Sequence, residues 1–107
     1  MTDEFVKVAT KSELASGTIK AVEINGQKIA ICQANDSFYA IGDICSHAKV
    51  ALHGGQIVDN EIECPKHGAR FDLTTGKAMC PPAIQPIPTF PLEVRGEEIW
   101  IAVPQSN

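Results

Sequence analysis

Cys45-Ser-His47 and Cys64-Pro-Lys-His67 stand sixteen residues apart in a chain of 107. Each segment offers one thiolate sulfur and one imidazole nitrogen. Together they supply two soft ligands and two borderline ones, a set that suits an iron–sulfur cluster in which two histidines replace two cysteines. Four thiolates around two ferric ions and two sulfides make a dianion. Two thiolates and two neutral imidazoles make the same centre neutral, so it accepts an electron more readily. Such centres have reduction potentials of about −150 to +300 mV, against roughly −400 mV for plant-type, all-cysteine clusters.

Outward from these boxes the chain reads as strands and turns. Seven Val and twelve Ile outnumber four Leu, and that β-branched excess favours strands over helices. Phe5 to Ala9 reads as a first strand, and Lys11 to Ala15 as one helical turn capped by Thr10 or Ser12. Thr18 to Ile24 and Lys28 to Ala34 flank Asn25-Gly26, a tight-hairpin signal. Asn35-Asp36 turns the chain into Phe38 to Ile41, completing a three-stranded meander. The first box follows within Asp43 to His53, and Gly54-Gly55 ends that loop. Ile57-Val58 and Ile62-Glu63 read as short strands around Asp59-Asn60, and the second box occupies the next loop, Cys64 to Gly68. Arg70 to Leu73 resumes a strand and Thr75-Gly76 turns it. Met79 to Pro91 holds five of the seven prolines, which predicts a stiff extended loop, since proline cannot donate to a ladder. Leu92 to Arg95 and Ile99 to Val103 pair across Gly96-Glu97-Glu98, with Trp100 as core or sheet surface.

Length and the absence of repeats or linkers predict one domain, residues 1–107. The formal charge of −4 argues against a nucleic-acid binder. No apolar run is long enough to cross a bilayer. The start, Met-Thr-Asp-Glu-Phe-Val-Lys-Val, lacks the pattern of a secretory signal, so the expected compartment is the cytoplasm, where thiols stay reduced. Four cysteines could form two disulfides, but that compartment disfavours them. A structural Cys₂His₂ zinc site is the other alternative, although zinc sites seldom use Cys-x-His. A Cys64–His67 nucleophile–base pair would leave Cys45 and His47 unexplained.

Both boxes, with Gly68, match those of the Rieske family, and the chain resembles that family more loosely at Phe38-Tyr39-Ala40, Arg70-Phe71-Asp72, Thr75-Gly76-Lys77-Ala78 and Pro81-Pro82. The resemblance implies an all-β Rieske fold of stacked antiparallel sheets. A small cluster-binding subdomain would span about 43–73, and the Pro81-Pro82 loop would form a third wall. It implies one [2Fe-2S] cluster per chain held by Cys45, His47, Cys64 and His67. Rieske proteins of respiratory and photosynthetic chains add a disulfide-forming cysteine to each box and a serine after the second. Here Val50, Lys66 and Ala69 occupy those places. Fewer donors to the cluster imply a potential near or below the low end of the range, partly offset by Lys49 and Lys66.

The chain is therefore similar to the soluble Rieske ferredoxins of bacterial ring-hydroxylating oxygenases. The implied role is an electron carrier, not an enzyme. It would pass single electrons from an NAD(P)H-dependent ferredoxin reductase to a terminal oxygenase, as a monomer with transient contacts. Alternatives are a carrier for a monooxygenase or a zinc-stabilised, non-redox accessory subunit. His53 reads as an exposed loop residue, with contact to a redox partner as the alternative. Cys32 and Cys80 read as buried fillers. Lys49, Lys66, Arg70 and Lys77 read as solvated surface, with a docking patch for an acidic partner as the alternative.

Overall fold

The structure, a computed structural model, describes residues 4–14, 17–44, 50–65, 68–80 and 85–103. Among the described residues, three antiparallel sheets carry eleven strands. The first contains β1 (Glu4–Thr10), β11 (Glu98–Val103) and β10 (Leu92–Arg95), in that order. The second runs β2 (Ile19–Ile24), β3 (Gln27–Ala34), β4 (Ser37–Gly42), β9 (Thr89–Phe90). The third runs β5 (Gln56–Val58), β6 (Glu61–Glu63), β7 (Arg70–Asp72), β8 (Ala78–Cys80).

Local chemistry sets the meander. Asn25 and Gly26 both take positive φ, 52° and 79°, and Ile24 pairs with Gln27 across them. Asn35 and Asp36 repeat the device at 51° and 64° between Ala34 and Ser37. Two-residue turns with both central residues at positive φ match the twist of paired strands, and Asn, Asp and Gly reach that region at least cost. The helical turn expected from Lys11 is a 3₁₀ turn, Lys11–Glu13, whose Glu13 Oε1 accepts the Thr10 N–H at 2.7 Å. The Lys20 ammonium beside Glu13 holds its carboxyl below the usual value.

The second sheet is the middle layer. Ile29 and Ile31 on one face of β3 join Ile99, Ile101 and Val103 of the first sheet in one core. Ala30, Cys32 and Ala34 on the other face join Ile62, Phe71 and Leu73 in a second core. Residues 29 to 34 are therefore all buried. Trp100 faces outward from the first sheet, half-buried under the Arg95 guanidinium at 4.5 Å, with its indole N–H donated to Glu98.

One expectation fails. The proline-rich segment is not loop throughout. Ala78–Cys80 pairs with β7, and Thr89–Phe90 pairs with β4. Neither short strand contains proline, and both lie at sheet edges, where proline neighbours interrupt no ladder. Pro81 and Pro82 lie outside the described residues, so the third-wall expectation does too. What anchors the segment is Ile87, 4 % exposed in the second core, whose N–H donates to the Gly76 carbonyl at 2.9 Å.

Candidate metal centre

Of the four expected ligands, Cys64 is described; Cys45, His47 and His67 lie outside the described residues. Cys64 follows β6 directly and begins the loop of the β6–β7 hairpin. Its N–H donates to the Ala69 carbonyl at 2.7 Å, and the Gly68 N–H donates back to its carbonyl at 3.2 Å. Gly68 closes this turn at φ +75°, where a side chain would be strained. The Cys64 side chain is 2 % exposed and its thiol is free.

The first box belongs to the loop leaving β4. That loop is shut at its base: Ile44 and Ala51 form a β-bridge, and the Leu52 N–H donates to the Asp43 carbonyl at 2.6 Å. A 3₁₀ turn, Leu52–Gly54, then leads through Gly55 into β5. A Cβ on Gly54 would lie 3.8 Å from Pro65 of the second box, so the end of one loop abuts the start of the other. Between them lies an open depression of about 350 Å³, lined by Gly54, Gly55, Gln56, Glu63, Cys64, Pro65 and Gly68.

A buried, unpaired sulfur on a tight turn, at the rim of a depression where two loops meet, is the kind of donor an iron–sulfur cluster uses. Cys64, the one described member of the expected set, fits the group. Among the described residues no set of three or more potential metal ligands occurs.

The Rieske [2Fe-2S] domain model matches residues 4–91. The chain belongs to the Rieske [2Fe-2S] domain family. A Rieske domain of this kind carries a [2Fe-2S] cluster. The chain is 32 % identical over 101 residues to the ferredoxin component of the naphthalene 1,2-dioxygenase system of Pseudomonas aeruginosa, covering 94 % of this chain and 97 % of that one. The ferredoxin of carbazole 1,9a-dioxygenase from Nocardioides aromaticivorans superposes with a TM-score of 0.88 at 37 % identity, covering 92 % of this chain and 96 % of that one. A ferredoxin chain from a complex of reduced oxygenase and oxidised ferredoxin in carbazole 1,9a-dioxygenase matches at a TM-score of 0.90 and 32 % identity, with 99 % of each chain covered. These Rieske relatives are electron carriers, not catalytic oxygenases, and the present chain shares their all-β fold and carrier role.

Arg70 lies 3.4 Å from Glu63 and 4.0 Å from Glu61, so its charge is spent within the third sheet and does not contribute a free basic patch. Lys77 is exposed, while Lys49 and Lys66 lie outside the described residues. Cys32 is core, as expected, with 0 % exposure. Burial pushes its thiol up to about 12, and the negative Asp43 adds to the shift. In the native protein Cys32 is therefore expected to resist iodoacetamide at about pH 8, since the thiolate is the nucleophile. It should alkylate fully in urea. Peptide mass spectrometry reads this out, and native labelling at Cys32 would contradict its burial.

His53 is exposed, as expected, but its ring nitrogen Nδ1 lies 2.6 Å from the buried Asp43 carboxylate. Nothing in the local pattern announces that pair. Ten residues separate the two, and Asp43 differs in the sequence from any other loop aspartate only by preceding Cys45.

No described helix is long and apolar enough to cross a membrane.

Proposed function

We propose that Cys45, His47, Cys64 and His67 hold one [2Fe-2S] cluster per chain. Through it the protein carries single electrons from an NAD(P)H-dependent ferredoxin reductase to a terminal ring-hydroxylating oxygenase. The observation that carries this assignment is the free, buried Cys64 on its Gly68-closed turn, in a chain with both ligand boxes complete. When bound, the cluster supplies reversible one-electron chemistry.

The chain's own residues do the rest. The 64–69 turn holds one ligand pair, and the loop shut at Ile44 and Ala51 holds the other. Residues 1–107 act as one domain, with the cluster-binding part at about 43–73 seated against the middle sheet. Ala69, fully buried, offers no side-chain hydroxyl to the cluster, which favours a potential near the low end of the family range, about −150 mV. The carrier works in the cytoplasm as a monomer. Its contacts with both partners are small and transient, because it must release each after transfer.

Purified, anaerobically reconstituted protein is expected to contain iron and acid-labile sulfide in equal amounts, two of each per chain. Reduction with dithionite should give an electron paramagnetic resonance signal, and a ferredoxin reductase with NAD(P)H should give the same one. Colourless protein, or protein containing only zinc, would overturn the assignment.

A further inference from the structure

Asp43 is a carboxylate at 3 % exposure, two residues before Cys45. Burying a charge is costly unless it is paired or hydrogen-bonded. Here one residue meets both oxygens. The His53 backbone N–H donates to Oδ1 at 2.8 Å, and His53 Nδ1 lies 2.6 Å from Oδ2. With the carboxylate oxygen as acceptor, the tautomer that satisfies this contact is the one with its proton on Nδ1. The main chain of Asp43 is also held: its N–H donates to Lys28 at 2.9 Å and its carbonyl accepts the Leu52 N–H. With the Ile44–Ala51 bridge, these bonds close both ends of the loop that carries the first ligand box.

Loop closure by itself needs no charge; a neutral asparagine could accept the same backbone N–H. What Asp43 adds is a negative charge shielded from water. That charge stands two residues before Cys45 in the sequence. Its field already reaches one buried neighbour, the Cys32 thiol.

We propose that Asp43, oriented by His53, is the positioning and electrostatic anchor of the first ligand box: it fixes the loop bearing Cys45 and His47 and biases the centre there toward its oxidised state. This rests on the cluster assignment above. Asp43 and His53 ligate nothing; they act through the box.

The test uses the full-length, cluster-loaded protein and its Asp43→Asn, His53→Ala and His53→Asn variants. Midpoint potential, g-values of the reduced centre, rate of cluster loss and thermal midpoint are measured for each. Asp43→Asn keeps the shape and removes the charge, so its midpoint potential is expected to move positive. His53→Ala should shift the g-values and speed cluster loss several-fold. His53→Asn should restore both, because its Nδ2 sits where Nδ1 sat. A wild-type potential and wild-type g-values in Asp43→Asn and His53→Ala, even with a lowered thermal midpoint, would reduce the pair to scaffolding and overturn the proposal. If Asp43→Asn fails to fold, the His53 variants decide: equal g-values and equal loss rates in both and in wild type would overturn it. Wild-type protein without a cluster signal would instead sink the cluster assignment, a different failure from a loaded protein indifferent to these substitutions.

Discussion

Gly55→Ala is expected to cost about 3 kcal/mol or more and to abolish stable cluster retention. A Cβ at Gly55 would stand 1.8 Å from the Glu63 carbonyl oxygen and 3.3 Å from that of Leu52. Neither is the far end of a flexible side chain; both are backbone. The Glu63 carbonyl belongs to the peptide that leads into Cys64, and the Gly55 N–H donates to Leu52 at 2.9 Å. To admit a methyl, β5 and β6 must part where one ligand loop ends and the other begins. For a domain whose total stability is about 5–15 kcal/mol, that loss is a large share. Gly54→Ala is the control. Its Cβ would meet only Pro65, at an ordinary 3.8 Å, so stability should stay within about 0.5 kcal/mol of wild type. Urea unfolding midpoints and iron content, measured on both variants, check the pair. Equal midpoints for the two would show that the close approach of Gly55 to Glu63 is not what the residue is for.

His67→Cys is expected to retain part of the cluster and to lower its midpoint potential sharply. Exchanging a neutral imidazole for a thiolate adds one negative charge at the centre and disfavours the electron that reduction adds. The potential should leave the range of about −150 to +300 mV and move toward the roughly −400 mV of all-cysteine clusters. For a one-electron couple, each 59 mV is a factor of about ten in the equilibrium constant, so the variant should also be reduced far less completely by the same reductase. A redox titration followed by visible absorbance or electron paramagnetic resonance measures it. An unchanged potential would contradict the charge argument for assigning two imidazoles to the centre.

Much of this protein is legible from one dimension because the relevant physics is local. Asn25-Gly26 and Asn35-Asp36 announce their turns since positive φ is affordable to few residues, and the strands follow between them. The proposed ligand boxes are read from donor type within three or four residues. The proline-rich segment misleads for the converse reason: composition forbids proline in a ladder but does not say which proline-free dipeptide or tripeptide finds an edge to pair with. Only the fold supplies β4 and β7 as those edges. His53 was readable as exposed, yet its bond to Asp43 exists only because the loop closes on itself.

The turns, the all-β character and the proposed donor set for a mixed cysteine–histidine centre are read from the order of residues, since each depends on backbone and side-chain chemistry a few positions wide. Stacking decides what distant segments do together. It buries β3 on both faces between two cores, brings Gly55 against the Glu63 carbonyl, and closes Asp43 onto His53. Those relations are set by which sheets pack and at what register, and a chain read residue by residue contains no term for either.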